Sequence, residues 1–189
     1  MLLVISGPSG VGKGTVIQEI LRNRQDLSVS VSYTSRTPRA GETEGVSYFF
    51  VSRAVFEQMI AAGEFLEYAE VHRNYYGTGR AQVRRMLGSG RSVLFEVDVQ
   101  GGINLRRQFK ELRSIFILPP GEAALVERIK NRGTETPETM RIRLETMRVE
   151  MLKAAEYDYQ VVNDQLGACV KKINKIIDQE IKLEKENGR

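Results

Sequence analysis

The chain of 189 residues contains no tryptophan, one histidine (His72) and one cysteine (Cys169). A lone cysteine cannot close an internal disulfide, which excludes a disulfide framework and suits a reducing compartment. His72 lies in a loop-like stretch with no evident carboxylate partner, and no metal-ligand spacing occurs anywhere in the sequence. Any metal is therefore expected to arrive with a ligand rather than in a protein cage. Prolines number only 5, and there is no repeat and no low-complexity segment. Long apolar runs are also missing. Met1 to Ile5 is apolar but lacks a basic lead-in and is too short for a signal-peptide core or a membrane span, so it predicts a buried strand and a cytoplasmic location.

What remains is ordinary globular composition, 41% hydrophobic and 28% charged. A chain of this length suits roughly one domain with room for insertions, and buries about 70% of its unfolded surface without staples. Basic residues outnumber acidic ones by 28 to 24, and 19 of the 28 are arginine. The planar guanidinium fork grips phosphate at two points, so this excess hints at phosphate ligands. Interleaved aromatics and a recognition helix are absent, which argues against nucleic acid as the partner.

Hydrophobic spacing predicts strands at Leu2–Ser6, from Leu27 to Tyr33, at Phe65–Val71, Ser92–Val97, Ile115–Leu118 and Tyr159–Val162. Helical patterns lie between them: after Lys13, from Ser52 to Gly63, over Ala81–Leu87, Ile103–Phe109 and Glu122–Arg132, from Thr136 to Ala155, and over Leu166–Lys185. Strands alternating with helices predict an α/β fold with a parallel sheet flanked by helices. The stretch 33–83 breaks the rhythm and reads as an inserted lobe, and 121–145 as a second, mobile insert. The core is then 1–32, 84–120 and 146–189.

Gly7-Pro8-Ser9-Gly10-Val11-Gly12-Lys13-Gly14-Thr15 follows the first strand and opens the first helix. This is the G-x-x-x-x-G-K phosphate-binding loop in its proper context. Glycines let backbone N–H groups turn inward around phosphate, the helix N-terminus adds its positive end, and Lys13 reaches the β- and γ-phosphates. Gly14 stands where a hydroxyl residue usually follows the lysine. The resulting G-K-G-T form resembles that of nucleoside monophosphate kinases.

Further motifs follow in order: Ser32-Tyr33-Thr34-Ser35-Arg36-Thr37-Pro38-Arg39, Gly45-Val46-Ser47-Tyr48-Phe49, Phe65-Leu66-Glu67-Tyr68, Asn74-Tyr75-Tyr76-Gly77-Thr78, Glu96-Val97-Asp98-Val99-Gln100-Gly101 and Arg132-Gly133-Thr134-Glu135. From Leu3 to at least Asp164 the chain resembles the guanylate kinase family of ATP:GMP phosphotransferases. The resemblance implies a P-loop NTPase-type core, a GMP-binding lobe at 33–83 and a lid at 121–145. It implies that Gly7 to Thr15, Arg132 and Asn163 serve ATP. Ser32, Arg36, Arg39, Tyr48, Glu67, Tyr76, Thr78 and Asp98 would serve GMP. Lys13, Asp98 and the lid arginines Arg128, Arg132 and Arg143 would act on the transferring phosphoryl group.

Chemistry agrees at each position. Guanine offers N1–H and N2–H₂ as donors, matched by the acceptor-only carboxylate of Glu67, while Ser32 and Thr78 hydroxyls suit O6 and N7. Arg128 and Arg132 share a helix face at i,i+4 spacing. Glu96 points to the same side of its strand as Asp98, two residues on, and with Glu42 is a weaker candidate for Asp98's duty. Tyr33, Tyr68 and Tyr75 read as packing residues, as does Cys169. Mg²⁺ is implied with ATP; no side chain is assigned as a direct ligand, and Thr15 and Asp98 are the candidates to reach nucleotide-bound Mg²⁺ through water. The partners implied are ATP and GMP, and neither nucleic acid nor membrane; the sequence leaves open whether dGMP is also an acceptor. Two alternatives stay open at this point: a non-catalytic guanylate kinase-like protein-binding module, and a kinase for a related phosphorylated sugar or nucleotide.

Overall fold

The sequence's short continuous apolar runs become two apolar layers on the two faces of one sheet. The computed structural model describes residues 1–71, 73–130 and 137–188, with side chains described in these ranges except at 128–130, 137–139 and 143. Strands β1 (Leu2–Ser6), β2 (Leu27–Ser30), β7 (Ser92–Glu96), β8 (Arg113–Leu118) and β9 (Tyr159–Val162) form an all-parallel sheet in the order β2-β7-β1-β8-β9. Successive residues of a strand face opposite ways. Leu3, Ile5, Leu94, Ile115 and Ile117 accordingly join the layer shared with α1 (Lys13–Leu21) and α7 (Leu166–Glu186). Leu2, Val4, Val93, Phe95 and Phe116 join the layer shared with α3 (Arg80–Gly88) and α4 (Val99–Gln108). Both faces covered is the usual condition of a parallel sheet. Among the described residues no helix is long and apolar enough to cross a membrane.

A second sheet has the order β4-β3-β6-β5, from β3 (Tyr33–Thr34), β4 (Phe49–Phe50), β5 (Phe65–Val71) and β6 (Asn74–Gly79). It packs on α2 (Arg53–Ala61), which Ser52 caps by accepting from the Val55 N–H. The packing is aromatic. Phe56 stacks on Phe65 with centroids 4.4 Å apart and on Tyr75 at 5.2 Å, and Tyr33 lies 4.8 Å from Phe49. Tyr33 and Tyr75 are thus packing residues, as their sequence context indicates, whereas Tyr68 is 45% exposed.

Four expectations change. The apolar alternation from Leu27 to Tyr33 is not one strand: β2 belongs to the parallel sheet and β3 to the second, with the chain crossing between them just before Ser32 and Tyr33. The helix expected at Ile103 begins four residues earlier, because Asp98 caps it by accepting the Gly101 N–H at 2.7 Å. That cap offsets the poor helix propensity of Gly101 and Gly102. The helix expected over Thr136 to Ala155 is α6 (Pro137–Leu152), followed by a 3₁₀ turn at Lys153–Glu156. Strand β6 was hidden by its glycines, which disfavour strands. Yet a Cβ at Gly77 would stand 3.0 Å from the Phe56 and Phe65 rings, and one at Gly79 2.9 Å from the Tyr33 ring, so the aromatic layer requires them. The remaining helix, α5 (Glu122–Lys130), follows β8.

Helix α4 sits close on the sheet through Gly102. A Cβ there would come within 2.2 Å of the Tyr157 hydroxyl and 3.4 Å of Ser6 Cβ. Tyr157 cannot easily yield: it is 5% exposed, lies edge-on to Phe116 and donates to the Val99 carbonyl at 3.2 Å. Gly102→Ala is therefore expected to cost about 1–3 kcal/mol through overpacking. Urea unfolding should show a lower midpoint at an unchanged slope; wild-type stability in the variant would contradict this packing account.

Candidate functional site

The carboxyl ends of the parallel strands and the second sheet enclose one cavity of about 600 Å³. Its first wall is the loop after β1. Gly7, Gly10 and Gly12 there have φ of 150°, 86° and 95°, values that L side chains rarely adopt. A Cβ at Gly7 would stand 2.5 Å from the Ile117 carbonyl oxygen of β8. From the far side, Asn163 at the end of β9 donates its amide to the Val11 carbonyl at 2.8 Å. Lys13 opens α1 and donates to the Gly7 and Pro8 carbonyls at 2.6 and 3.3 Å, curling over the loop. The first turn of α1 has no side-chain cap, the condition in which a helix N-terminus can receive an anion.

The second wall is the second sheet. Glu67 on β5 and Thr78 on β6 are directly paired across the antiparallel ladder, and the Thr78 hydroxyl donates to Glu67 Oε1 at 2.6 Å. Glu67 is 7% exposed. Burial pushes its pKa up to about 7, against the Thr78 hydrogen bond and reinforced by Asp98. Its other oxygen lies against Gly101, where a Cβ would come within 3.0 Å. Tyr48 and Tyr76 meet edge-on at 5.9 Å and line the cavity with Ser32 and Arg39. Burial also raises the Tyr48 phenol pKa.

Arg36 stands behind this wall. It forms a two-point ion pair with Glu42, both contacts at 2.7 Å, and lies 5.1 Å from the Tyr48 ring centroid. Arg36 holds the Glu42 carboxyl below its ordinary pKa. The same carboxylate accepts the Arg39 backbone N–H at 2.7 Å. Glu42 thus organises the arginine-bearing loop.

The third wall comes from the end of β7 and the start of α4. Glu96 and Asp98 both line the cavity, as their two-residue spacing indicates, with Gln100 beyond them. Burial raises the Glu96 pKa and Lys13 opposes the rise. The fourth wall is α6, which contributes Thr146, Val149 and Glu150, with Lys153 just after it.

The structure therefore brings Gly7, Ser9, Lys13, Ser32, Arg39, Tyr48, Glu67, Tyr76, Glu96 and Asp98 to one cavity. Thr78 acts on it through Glu67. Pro8, Gly10, Val11, Gly12 and Gly14 form the loop's own backbone, while the Thr15 side chain is exposed. Asn163 is 7% exposed and braces the loop from behind. Arg132, His72 and the Gly133 to Thr136 break lie outside the described residues, as do the side chains of Arg128 and Arg143. Arg141 and Arg148, which have no motif support, pair with Glu145 and Glu122. Cys169 is buried, and its thiol is pushed up to about 11 by that burial, as suits a packing residue.

The α6 wall was not legible. Polar and apolar residues do not segregate around that helix, so periodicity gave no inward face, and Glu150 reads as one of several solvated charges.

Hard oxygen donors suit Mg²⁺, and Glu96, Asp98 and Glu150 share the cavity with Lys13. No closed group of three metal-ligating side chains occurs among the described residues. The donor set fits a cation held largely through its water and by the nucleotide it accompanies.

Comparison with known proteins agrees with this geometry. Residues 1–180 match the family model described as guanylate kinase. A guanylate kinase from Clostridium tetani is 47% identical over 180 residues, covering 95% of this chain and 86% of that protein. One from Clostridium perfringens is 45% identical over 177 residues, covering 94% and 82%. The crystal structure of guanylate kinase from Anaplasma phagocytophilum superposes with a TM-score of 0.78 at 32% identity, covering 95% of this chain and 85% of that one. With this loop, this buried carboxylate and this sheet order already in place, the match over nearly the whole length means that the chain belongs to the guanylate kinase family.

Proposed function

We propose that the chain transfers the γ-phosphoryl group of ATP to GMP, giving ADP and GDP, with Mg²⁺ accompanying the nucleotide. The observation that carries this reading is the buried Glu67–Thr78 pair facing the same cavity as Lys13 and its loop. The phosphate loop alone would serve many kinases. A carboxylate aimed inward, with a hydroxyl beside it, matches the donor edge of guanine and would set like polarity against adenine. It also disfavours the two alternatives, since a protein-binding module needs neither the loop nor the carboxylate and a sugar phosphate offers no such edge.

In this reading residues 33–83 form the GMP lobe, 121–145 the lid, and the remainder the ATP-binding core. Tyr48, Tyr76, Arg39 and Arg36 bind the GMP phosphate; Arg36 does so by sharing its guanidinium with Glu42. Asp98 contacts GMP from the end of β7. The nucleophile is a phosphate oxygen of GMP. Its second pKa is about 6, so it carries no proton to remove at neutral pH and no general base is required. That oxygen bonds to the γ-phosphorus as the bond to the β,γ-bridging oxygen breaks, and ADP departs with the electron pair. Lys13, the loop N–H groups and the N-terminus of α1 neutralise the charge on the transferring group, joined by Arg128, Arg132 and Arg143 from the lid. Bound Mg²⁺ would supply further neutralisation of the β- and γ-oxygens. Closure of lobe and lid would exclude water, the competing acceptor.

ADP formation from Mg-ATP, measured separately with GMP, AMP, CMP and UMP, tests the assignment. Strong turnover with GMP alone is expected. Turnover with another monophosphate would remove the guanine reading, and none with any acceptor would favour the binding module.

Glu67→Gln should raise KM for GMP by roughly 10²–10³ while ATP affinity stays unchanged, because an amide cannot accept from both guanine donors. The same variant should be more stable at alkaline pH. The folded pKa of about 7 lies above the ordinary 4.5, so ionised Glu67 burdens the folded state, and the burden grows as pH rises from 4.5 and levels off above 7. Removing it should add roughly 2–3 kcal/mol near pH 8 and little near pH 5. A loss of stability at both pH values would contradict the buried-charge account.

GMP recognition should weaken as pH falls through about 7, because protonated Glu67 presents a donor where guanine also donates. The ratio of KM for GMP between wild type and Glu67→Gln cancels the titration of GMP itself. That ratio should converge towards one on acidification; a ratio independent of pH would show that Glu67 does not titrate in this range.

A further inference from the structure

Glu150 belongs to none of the motifs. Its side chain faces the phosphate end of the cavity with Ser9, Lys13 and Asp98. Its Oε2 is shielded from solvent and has no hydrogen-bond partner. Burial raises its pKa; Lys13 opposes the rise, Asp98 adds to it, and the Ser9 backbone N–H favours the charged form. Glu150 is therefore within electrostatic reach of both the lysine that grips phosphate and the acid across the cradle.

The helix holds this carboxylate in place. Met147, one turn earlier, is 3% exposed in the core beneath the parallel sheet, and the adjacent Met151 packs against both apolar layers. Arg148 joins α6 to α5 through Glu122 at 2.7 Å. The last turns of α6, and with them the backbone that carries Glu150, are thus anchored in the core through Met147 and Met151. A carboxylate beside a phosphate cradle repels a bare polyphosphate, more strongly at the reduced dielectric of a partly buried site than in bulk water. The same polyphosphate carrying a divalent cation is repelled far less, and water bound to the cation supplies the donor that Oε2 lacks.

We propose that Glu150 is a specificity residue of the phosphate cradle, selecting a nucleotide whose charge is compensated by a divalent cation over the same nucleotide without metal. The proposal rests on the reading of this cavity as the ATP and GMP site.

The test is equilibrium binding of ATP to the full chain, once with excess Mg²⁺ and once in EDTA, for wild type, Glu150→Gln, Glu150→Ala and Glu150→Asp. Glu150→Gln should tighten metal-free ATP on the order of tenfold, as expected for removing one nearby like charge at intermediate dielectric, and change Mg-ATP affinity by less than about threefold. Glu150→Ala should repeat this result should the glutamine variant fail to fold, and Glu150→Asp, which keeps the charge, should retain the wild-type preference. The proposal is overturned if metal-free affinity is unchanged in the folded variants, or if metal-free and Mg-ATP affinities rise together. Wild type that binds ATP in neither condition would instead overturn the reading of the cavity.

Discussion

The structure depends on one close approach: the backbone of the loop after β1 lies directly against the ends of β8 and β9. Gly7 touches the Ile117 carbonyl, with no room for a Cβ, and Asn163 holds the Val11 carbonyl from behind. The loop is thereby clamped between two strands that are remote in sequence. The loop's backbone and the uncapped first turn of α1 are held in place by the fold itself. Such preorganisation is what lets backbone dipoles stabilise a transferring phosphoryl group without rearranging. The parallel sheet supplies it because all five strands end on the same side, where binding crevices of open α/β sheets form.

The second requirement is charge held at the cavity against the preference of a folded chain. Glu67, Glu96 and Glu150 all have pKa values raised by burial; Thr78 opposes the rise at Glu67, Lys13 at Glu96, and Lys13 with the Ser9 backbone N–H at Glu150. A core designed for stability alone would not keep them. Each is a carboxylate acceptor held at the cavity wall, and under the proposed function Glu67 would meet guanine N–H groups. The fold sustains these groups with two well-packed apolar layers and an aromatic layer behind the second sheet.

Local order supports the same division. Glu42 gathers Arg36 and the Arg39 backbone into one loop conformation, so the arginines stand ready beside Tyr48 and Tyr76. Asp98 both lines the cavity and caps α4, tying a site residue to the packing of a helix. Substitution there would disturb site and scaffold together.

Much of this was legible in the residues. Short apolar runs marked β1 and β7, the G-x-x-x-x-G-K spacing marked the loop after β1, and the ordered motifs around Glu67 and Thr78 marked two residues that the fold pairs at the cavity. These features are local, so a few neighbouring residues suffice to specify them. Strand β6 was hidden because its glycines answer to the distant rings of Phe56, Phe65 and Tyr33. Residues 27 to 33 look like one strand because alternation carries no record of which sheet a strand joins. Asn163 as a brace and Glu150 as a cavity wall were invisible for the same reason: one depends on β9 lying beside β8, the other on which side of α6 meets the loop. The sequence by itself determined the chemistry available and the elements that carry it. Tertiary structure alone decided which charges share a cavity and which lose their water, because burial and field depend on neighbours brought together only by the fold.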